Sequence, residues 1–318
     1  MVSKAVAASG TGALGRRSLE ASSSRYGEKV IRLLLALSAV VSVAVTTLIV
    51  ISLVRPTIDF FRFVSFREFF GGTVWAPAFA NPSFGVWPIV VGTAWIVLIA
   101  LSVSVPVGLL SAIYLSEYAP ENVRRSIKPT LEVLEGIPTV ATGLFGFWLL
   151  RPLAEELFPF LPWRGPFSTI VAGVAVGLII VPLVASVSDD ALRAVPMALR
   201  EGAYALGANK FEVSLRVVFP GAISGIVAAV VLGGSRAVGE TMVVLLVAGA
   251  GNPLLSFNPV QGLQTMTAFI AGKATGDIPT GTIVYDTIFA VGTLLFVSTL
   301  ALNMFAIRFV RRFREEYD

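Results

Sequence analysis

The segment Gly233–Val244 reads GGSRAVGETMVV and places two opposite charges, Arg236 and Glu240, four residues apart inside an apolar run. On a helix that spacing puts them on one face and within reach of each other. An ionised side chain at the centre of a bilayer costs roughly 2.5–3.5 kcal/mol on insertion scales, so two of them need a reason to be there. One reason is structural: the charges neutralise each other, or meet a partner subunit, and hold helices together. The other is a solute pathway. There the guanidinium of Arg236 offers its planar fork of donors to an oxyanion, and Glu240 holds that guanidinium while the pathway is empty. Ser235 and Thr241 would add hydroxyls to such a pathway, and Gly233, Gly234 and Gly239 would leave room beside it.

Other chemistry is excluded by residue type. Gly234–Thr241 has the spacing of a phosphate-cradling G-x-x-x-x-G-K-[ST] loop, but Glu240 occupies the lysine position and would repel nucleotide phosphates. Histidine and cysteine are both absent, which removes histidine-based triads, HExxH metal sites, disulfides and thiol chemistry. No catalytic residue, metal site or cofactor is expected.

A second arrangement of interest is the polar stretch Asp189–Pro220, with the core REGAYALGANKFEVSLRVVFP. Pro196 suits the first turn of a helix, where its missing N–H is no loss. MALREGAYAL then supplies good helix formers, with Leu199, Ala203 and Leu206 on one side and Arg200 near the other. Gly207 can end that helix in the left-handed conformation, allowing a turn at Ala208-Asn209. Lys210–Val218 reads as a second short helix leading back through Pro220. A helix-turn-helix of this kind fits a groove on a partner protein, and Glu201 has Arg200, Arg216 or a partner's cation within its range.

The elements that must position these residues are membrane helices. Apolar residues form 55% of the 318-residue chain, charged ones 14%, and mean hydropathy is +0.83. A soluble chain carries about a quarter charged residues. Six runs reach the roughly 20 residues needed to cross hydrocarbon: Val30–Val54, Val86–Leu110, Leu134–Leu153, Thr169–Val187, Ala222–Ala248 and Ile283–Phe305. They are continuously apolar rather than alternating, which favours helices over barrel strands. With the N-terminus in the cytoplasm, seventeen Lys and Arg fall inside and six outside, Arg236 being left within a span. This bias places both termini and Asp189–Pro220 on the cytoplasmic side of the membrane. The basic pI of about 9.6 is thereby assigned to membrane anchoring, with no nucleic-acid partner expected.

Residues 1–28, rich in Ser, Ala and Gly, are expected to be a disordered cytoplasmic segment ahead of a transmembrane domain, 29–318. The aromatic-rich stretch IDFFRFVSFREFFGGTVW suits the outer headgroup region. Leu263, Met266, Phe269 and Ile270 fall at helical spacing in the last outer segment and predict a short helix against the bundle. The pairs Gly173–Gly177 and Gly221–Gly225 predict close helix approach, and Pro106, Pro138 and Pro182 predict kinks.

The order Glu201, Ala203, Gly207, Ala208, Phe211, Pro220 resembles the coupling loop of ATP-binding-cassette importer permeases. FFGGTVWAP, FGVWPIVVGT, AIYLSEYAP, LEVLEGIPTVATGLFGF, SRAVGETMVV and LQTMTAFI extend the likeness from about Arg67 to the C-terminus. Together they are similar to PstC-type permease subunits of bacterial phosphate importers. Gly202 departs from the family loop, which often has a second Ala there. The resemblance implies an all-α membrane protein of six transmembrane helices with the type I ABC importer permease fold, in the bacterial inner membrane. It implies Arg236, Glu240, Ser235 and Thr241 on a phosphate pathway. It assigns Glu201, Ala203, Gly207, Ala208 and Pro220 to coupling. Its implied partners are a sister permease (PstA-like), an ATPase dimer (PstB-like) that performs the hydrolysis, an extracytoplasmic phosphate-binding protein (PstS-like), inorganic phosphate and membrane lipid. A permease for sulfate or molybdate, or an ATPase-independent secondary transporter, are the alternatives.

Overall fold

Four of the apolar runs become unbroken helices long enough to cross a bilayer, and the other two become bent pairs. A computed structural model describes residues 26–313 except positions 252 and 277, so most of the segment 1–28 lies outside the described residues. The helices are α1 (Tyr26–Phe63), α2 (Phe66–Gly71), α3 (Trp87–Ile113), α4 (Glu121–Glu135), α5 (Thr139–Phe145), α6 (Arg151–Leu157) and α7 (Thr169–Arg193). They continue with α8 (Met197–Ala205), α9 (Lys210–Val213), α10 (Phe219–Gly221), α11 (Ile223–Gly239), α12 (Met242–Val247), α13 (Met266–Ala274) and α14 (Ile283–Phe313). The described residues contain one small strand pair, β1 (Trp75–Ala76) antiparallel to β2 (Ser83–Phe84).

The chain divides into two units, 1–51 and 52–318. In the first, the apolar side chains of α1 from Val30 onward are exposed, a surface that only hydrocarbon or a partner helix tolerates. The second holds the packed bundle. Its centre is the α3–α7 pair, the most extensive helix contact, joined by α11 and α12. The close approach predicted from Gly173 and Gly177 is real: a Cβ at 173 would lie 2.7 Å from the Ile99 Cβ, and one at 177 would lie 2.9 Å from the Ala100 carbonyl oxygen.

Two of the expected spans are corrected. The third, expected as Leu134–Leu153, starts only at Thr139 and runs to Leu157, and α4 meets it at 91°. Pro138 pushes Ile137 out of the helical region, and the charged ENVRRSIKPTLE sequence has no place in hydrocarbon. The fifth, expected as a continuous Ala222–Ala248, meets the hairpin helix at 70° and breaks at Glu240-Thr241. Of the predicted kinks, Pro138 marks a true break, while Pro106 and Pro182 sit within helices that carry on.

Three turns are wound more widely than an α-helix: Tyr114–Tyr118, Gly146–Leu150 and Ser214–Val218. Each ends two residues before a proline, Pro120, Pro152 or Pro220. A proline ring clashes with the carbonyl four residues back. At Pro152 and Pro220 the helix continues and the wider turn goes round that carbonyl, Arg151 and Phe219 donating to Gly146 and Ser214, five residues earlier. At Ala119, which donates to Tyr114, the backbone becomes extended and the helix ends before Pro120.

At the end of the bundle opposite the 194–221 hairpin, the aromatic stretch is only partly a surface feature. Phe60, Phe69, Trp75 and Phe84 are buried together with Met266 and Phe269, packed edge to face. Phe63, Phe66 and Phe70 remain exposed, as the headgroup expectation has them. The predicted short helix is α13, with Met266 and Phe269 buried; Leu263 is buried too but lies in the segment before the helix starts.

Candidate functional site

Arg236 lies in the last turn of α11, yet it does not meet Glu240. Its Nη1 donates to Glu135 Oε1 at 2.8 Å, and its Nη2 reaches the Glu135 carbonyl oxygen at 3.4 Å. Glu135 is the final residue of α4, immediately before the sharp bend. Both side chains stay about one-third exposed, so the guanidinium is paired but not enclosed.

The expected Arg236–Glu240 contact fails because the helix that would align them stops between them. Gly239 closes α11, Glu240 takes an extended backbone (φ −66°, ψ 128°), and α12 restarts at Met242. The Glu240 carboxylate turns onto that restart and accepts the main-chain N–H groups of Thr241 (3.1 Å) and Val243 (3.3 Å). Unpaired N–H groups at a helix start favour an anion, so this buried carboxylate has local partners and needs no arginine.

The other two hydroxyls point elsewhere. Ser235 Oγ donates to Asn303 Oδ1 on α14 at 2.6 Å, and Thr241 Oγ1 donates to the Gly239 carbonyl. The four residues read as one pathway cluster therefore do not converge on each other, and Arg236 alone presents an anion-ready group. Glu135 was the member missed. It follows from no local spacing, being 101 residues from Arg236, although a glutamate directly before Gly-Ile-Pro at a span boundary is a visible signal.

The predicted helix-turn-helix is present as α8, a turn, and α9 running on to Gly221. Gly207 adopts φ +86°, and Asn209 caps α9 in a reciprocal capping box with Glu212. Asp189–Arg193, expected as loop, are instead the last turn of α7.

In α8 the expected separation of Arg200 from Leu199 and Leu206 holds, but Ala203 packs against the cluster beneath the hairpin instead of joining the two leucines. Arg200 is buried: it pairs with Glu117, in the wide turn after α3, and donates Nη2 to the Leu192 carbonyl oxygen at 2.7 Å. Met197, Leu199 and Tyr204 of α8 are exposed, as are Leu206 just after it (90%) and Phe211 of α9. Glu201 is exposed, and among the described residues no ion pair is formed with Arg200 or Arg216. Beneath the hairpin, Val213, Val218 and Ala222 pack with Ala112, Leu192 and Val195, so the turn rests on the ends of α3 and α7.

A membrane bundle with a helical hairpin between its fourth and fifth spans defines the class: the fold is that of type I ABC importer permeases. It superposes on a chain of a bacterial alginate ABC transporter solved with an alginate pentasaccharide-bound periplasmic protein, at TM-score 0.60 and 16% identity, over 93% of this chain and 100% of that one. A chain of the MetNI methionine ABC transporter in an inward-facing conformation gives TM-score 0.53 at 20% identity, over 73% and 95%.

The chain belongs to the family of binding-protein-dependent transport system inner membrane components, whose model matches residues 104–315. It is 34% identical to phosphate transport system permease protein PstC 1 of Mycobacterium tuberculosis, over 76% of this chain and 78% of that protein. It is 32% identical to the probable ABC transporter permease protein YqgH of Bacillus subtilis, over 74% of each. With PstC of Pasteurella multocida it shares 30% identity over 82% of this chain and 88% of that one.

Proposed function

We propose that this chain is the PstC-like permease subunit of an ATP-driven phosphate importer, both termini cytoplasmic. It lines the phosphate pathway together with a PstA-like sister permease. The observation that carries this reading is Arg236, a guanidinium inside a membrane-spanning helix whose only carboxylate partner among the described residues, Glu135, leaves it partly open. A carboxylate and a phosphate oxyanion present the same geometry to the arginine fork, so phosphate can take the place of Glu135. The names of the relatives point to the same substrate.

Energy enters through the hairpin. Leu206, Met197, Tyr204 and Phe211 form an exposed apolar knob on a helix pair, the shape a groove on a PstB-like ATPase dimer accepts. Glu201, Ala203, Gly207, Ala208 and Pro220 are the coupling positions. Arg200 locks this knob to the ends of α3 and α7 through Glu117 and Leu192, so a push on the hairpin moves spans rather than a loose loop. ATP binding closes the ATPase dimer and favours an outward-open bundle that receives phosphate from a PstS-like binding protein. Hydrolysis then returns the bundle inward. Only the difference in affinity of the two states for the ATP-bound dimer can drive that shift.

The test is reconstitution with the three partner subunits, measuring labelled phosphate uptake and phosphate-stimulated ATP turnover with sulfate and molybdate as competitors. Phosphate uptake that sulfate and molybdate leave intact is expected. Arg236→Ala abolishes uptake while the complex still assembles; loss of assembly instead makes Arg236 a structural residue. Transport by the lone chain at full rate overturns the reading and favours a secondary carrier.

A further inference from the structure

Asp189 is the most completely buried carboxylate among the described residues, with 1% of its side chain exposed, and the pathway described above does not use it. It lies in the last turns of α7, just before the hairpin. Arg124 Nη2 of α4 donates to its Oδ2 at 2.9 Å, and Lys128 Nζ of α4 donates to the same oxygen at 3.4 Å. Lys128 also pairs with Asp190. The second oxygen, Oδ1, faces Arg193 Nε at 3.7 Å without closing a hydrogen bond, and Arg124 Nε is likewise buried and unpartnered.

Helix α4 is held in an unusual way. None of its fifteen residues is buried, so apolar packing does little to fix it. Charges grip it along its length: Glu121 on Arg193 at its start, Arg124 in its first half and Lys128 at its middle on Asp189, and Glu135 on Arg236 at its finish. The chain of direct contacts is continuous. Arg200 of the hairpin bonds Leu192 of α7, Asp189 lies one turn earlier, α4 is clamped to Asp189, and the far end of α4 carries the carboxylate on Arg236. A short rigid helix with little burial can shift without opening a core. A buried carboxylate with one unfilled acceptor has a second arrangement available, in which Arg193 closes on Oδ1.

We propose that Asp189 is a positioning residue for transport: it fixes α4, and through α4 it sets whether Glu135 covers or releases the Arg236 guanidinium as the hairpin moves. This rests on the reading of Arg236 as the pathway residue. A buried ion cluster at a helix junction also stabilises, and removing one partner of such a cluster is costly, so the test must separate positioning from folding.

The experiment uses the full reconstituted complex, with labelled inorganic phosphate uptake and ATP turnover followed in the same vesicles. Asp189→Asn is expected to assemble and hydrolyse ATP, while phosphate moved per ATP falls about tenfold, the usual size of a coupling between sites. Asp189→Asn combined with Glu135→Gln is expected to be no worse than the more impaired of the two single variants, because both interrupt one arm; effects that multiply overturn the proposal. A proportional loss of uptake, turnover and assembly also overturns it, as does an unchanged ratio. If Asp189→Asn does not assemble, Lys128→Gln, which leaves Arg124 on the carboxylate, carries the test: a lowered phosphate-to-ATP ratio supports the arm, and an unchanged one ends it. Should Arg236→Ala transport phosphate normally, the pathway reading itself fails. Should Arg236→Ala be inactive and Asp189→Asn normal, only the present inference does.

Discussion

The hydroxyl of Thr267 donates to the main-chain oxygen of Glu240 at 2.7 Å, and so ties α13 to the break in the fifth span. The break frees backbone groups in the middle of a membrane bundle, where water is scarce and each unpaired group is expensive. Glu240 meets the N–H side of that debt with its own carboxylate, and Thr267 meets the carbonyl side. Neighbouring hydroxyls anchor the segment that carries Thr267: Thr169 Oγ1 accepts from Leu263 N, and Thr93 Oγ1 accepts from Met266 N. Thr267→Val keeps the shape and removes the donor, and is expected to lower stability by about 1–3 kcal/mol, the cost of an unsatisfied buried acceptor. Thr267→Ser restores most of it. Thermal unfolding in detergent measures both.

Gly92 is where α3 lets that same segment pass. A Cβ there would lie 2.2 Å from the Gln264 carbonyl oxygen, a backbone atom that cannot swing aside. Gly92→Ala is expected to destabilise the protein by about 1–3 kcal/mol or more, the range for overpacking. Gly272→Ala, exposed in α13 with nothing near its added methyl, is expected to stabilise by about 0.5–1 kcal/mol. If Gly92→Ala raises the melting temperature as Gly272→Ala does, the close approach at Gly92 is wrong.

Two hairpin glycines should respond in opposite directions. Gly207 has φ +86°, so an alanine there is strained, by roughly 1–2 kcal/mol. Gly202 is helical and open, and alanine there gains about 0.5–1 kcal/mol of helix stability. Capture of the ATPase subunit should therefore weaken with Gly207→Ala and hold or strengthen with Gly202→Ala. A loss of capture in both would mean that the tip needs backbone freedom rather than one fixed turn.

What the sequence made legible was whatever is decided locally. Span-length apolar runs, the left-handed Gly207, the α13 periodicity and the Gly173–Gly177 contact all follow from short-range pattern. The failures are long-range. The helix pattern separates Arg200 from Leu199 and Leu206 but does not say which side faces the bundle; Glu117 and the Leu192 carbonyl, over eighty and eight residues away, draw Arg200 inward. The four-residue spacing pairs Glu240 with Arg236 only if the helix is unbroken across Gly239. A glycine followed by Glu-Thr is also a helix stop followed by a capping residue, and that competing pattern prevailed. The wide turns before Pro152 and Pro220, through which the helices run on, have no counterpart in the predicted kinks, which rest on Pro106, Pro138 and Pro182.

The partner exchange at Arg236 is open to a direct thermodynamic check. Double-mutant cycles isolate a pairwise term, and side chains without a shared contact add to within about 0.5 kcal/mol. Arg236→Ala with Glu135→Ala is expected to be non-additive in unfolding free energy by about 0.5–1 kcal/mol, since a partly exposed ion pair is screened and contributes little more than that. Arg236→Ala with Glu240→Ala is expected to be additive, because the Glu240 carboxylate already accepts from Thr241 and Val243. The same cycles run in the presence of saturating phosphate carry the functional content. If phosphate displaces Glu135 from the guanidinium, the Arg236–Glu135 coupling shrinks toward zero, while the Glu240 cycle does not move. A coupling that ignores phosphate would leave Arg236 and Glu135 as a structural clasp between α4 and α11, with the anion taking another route.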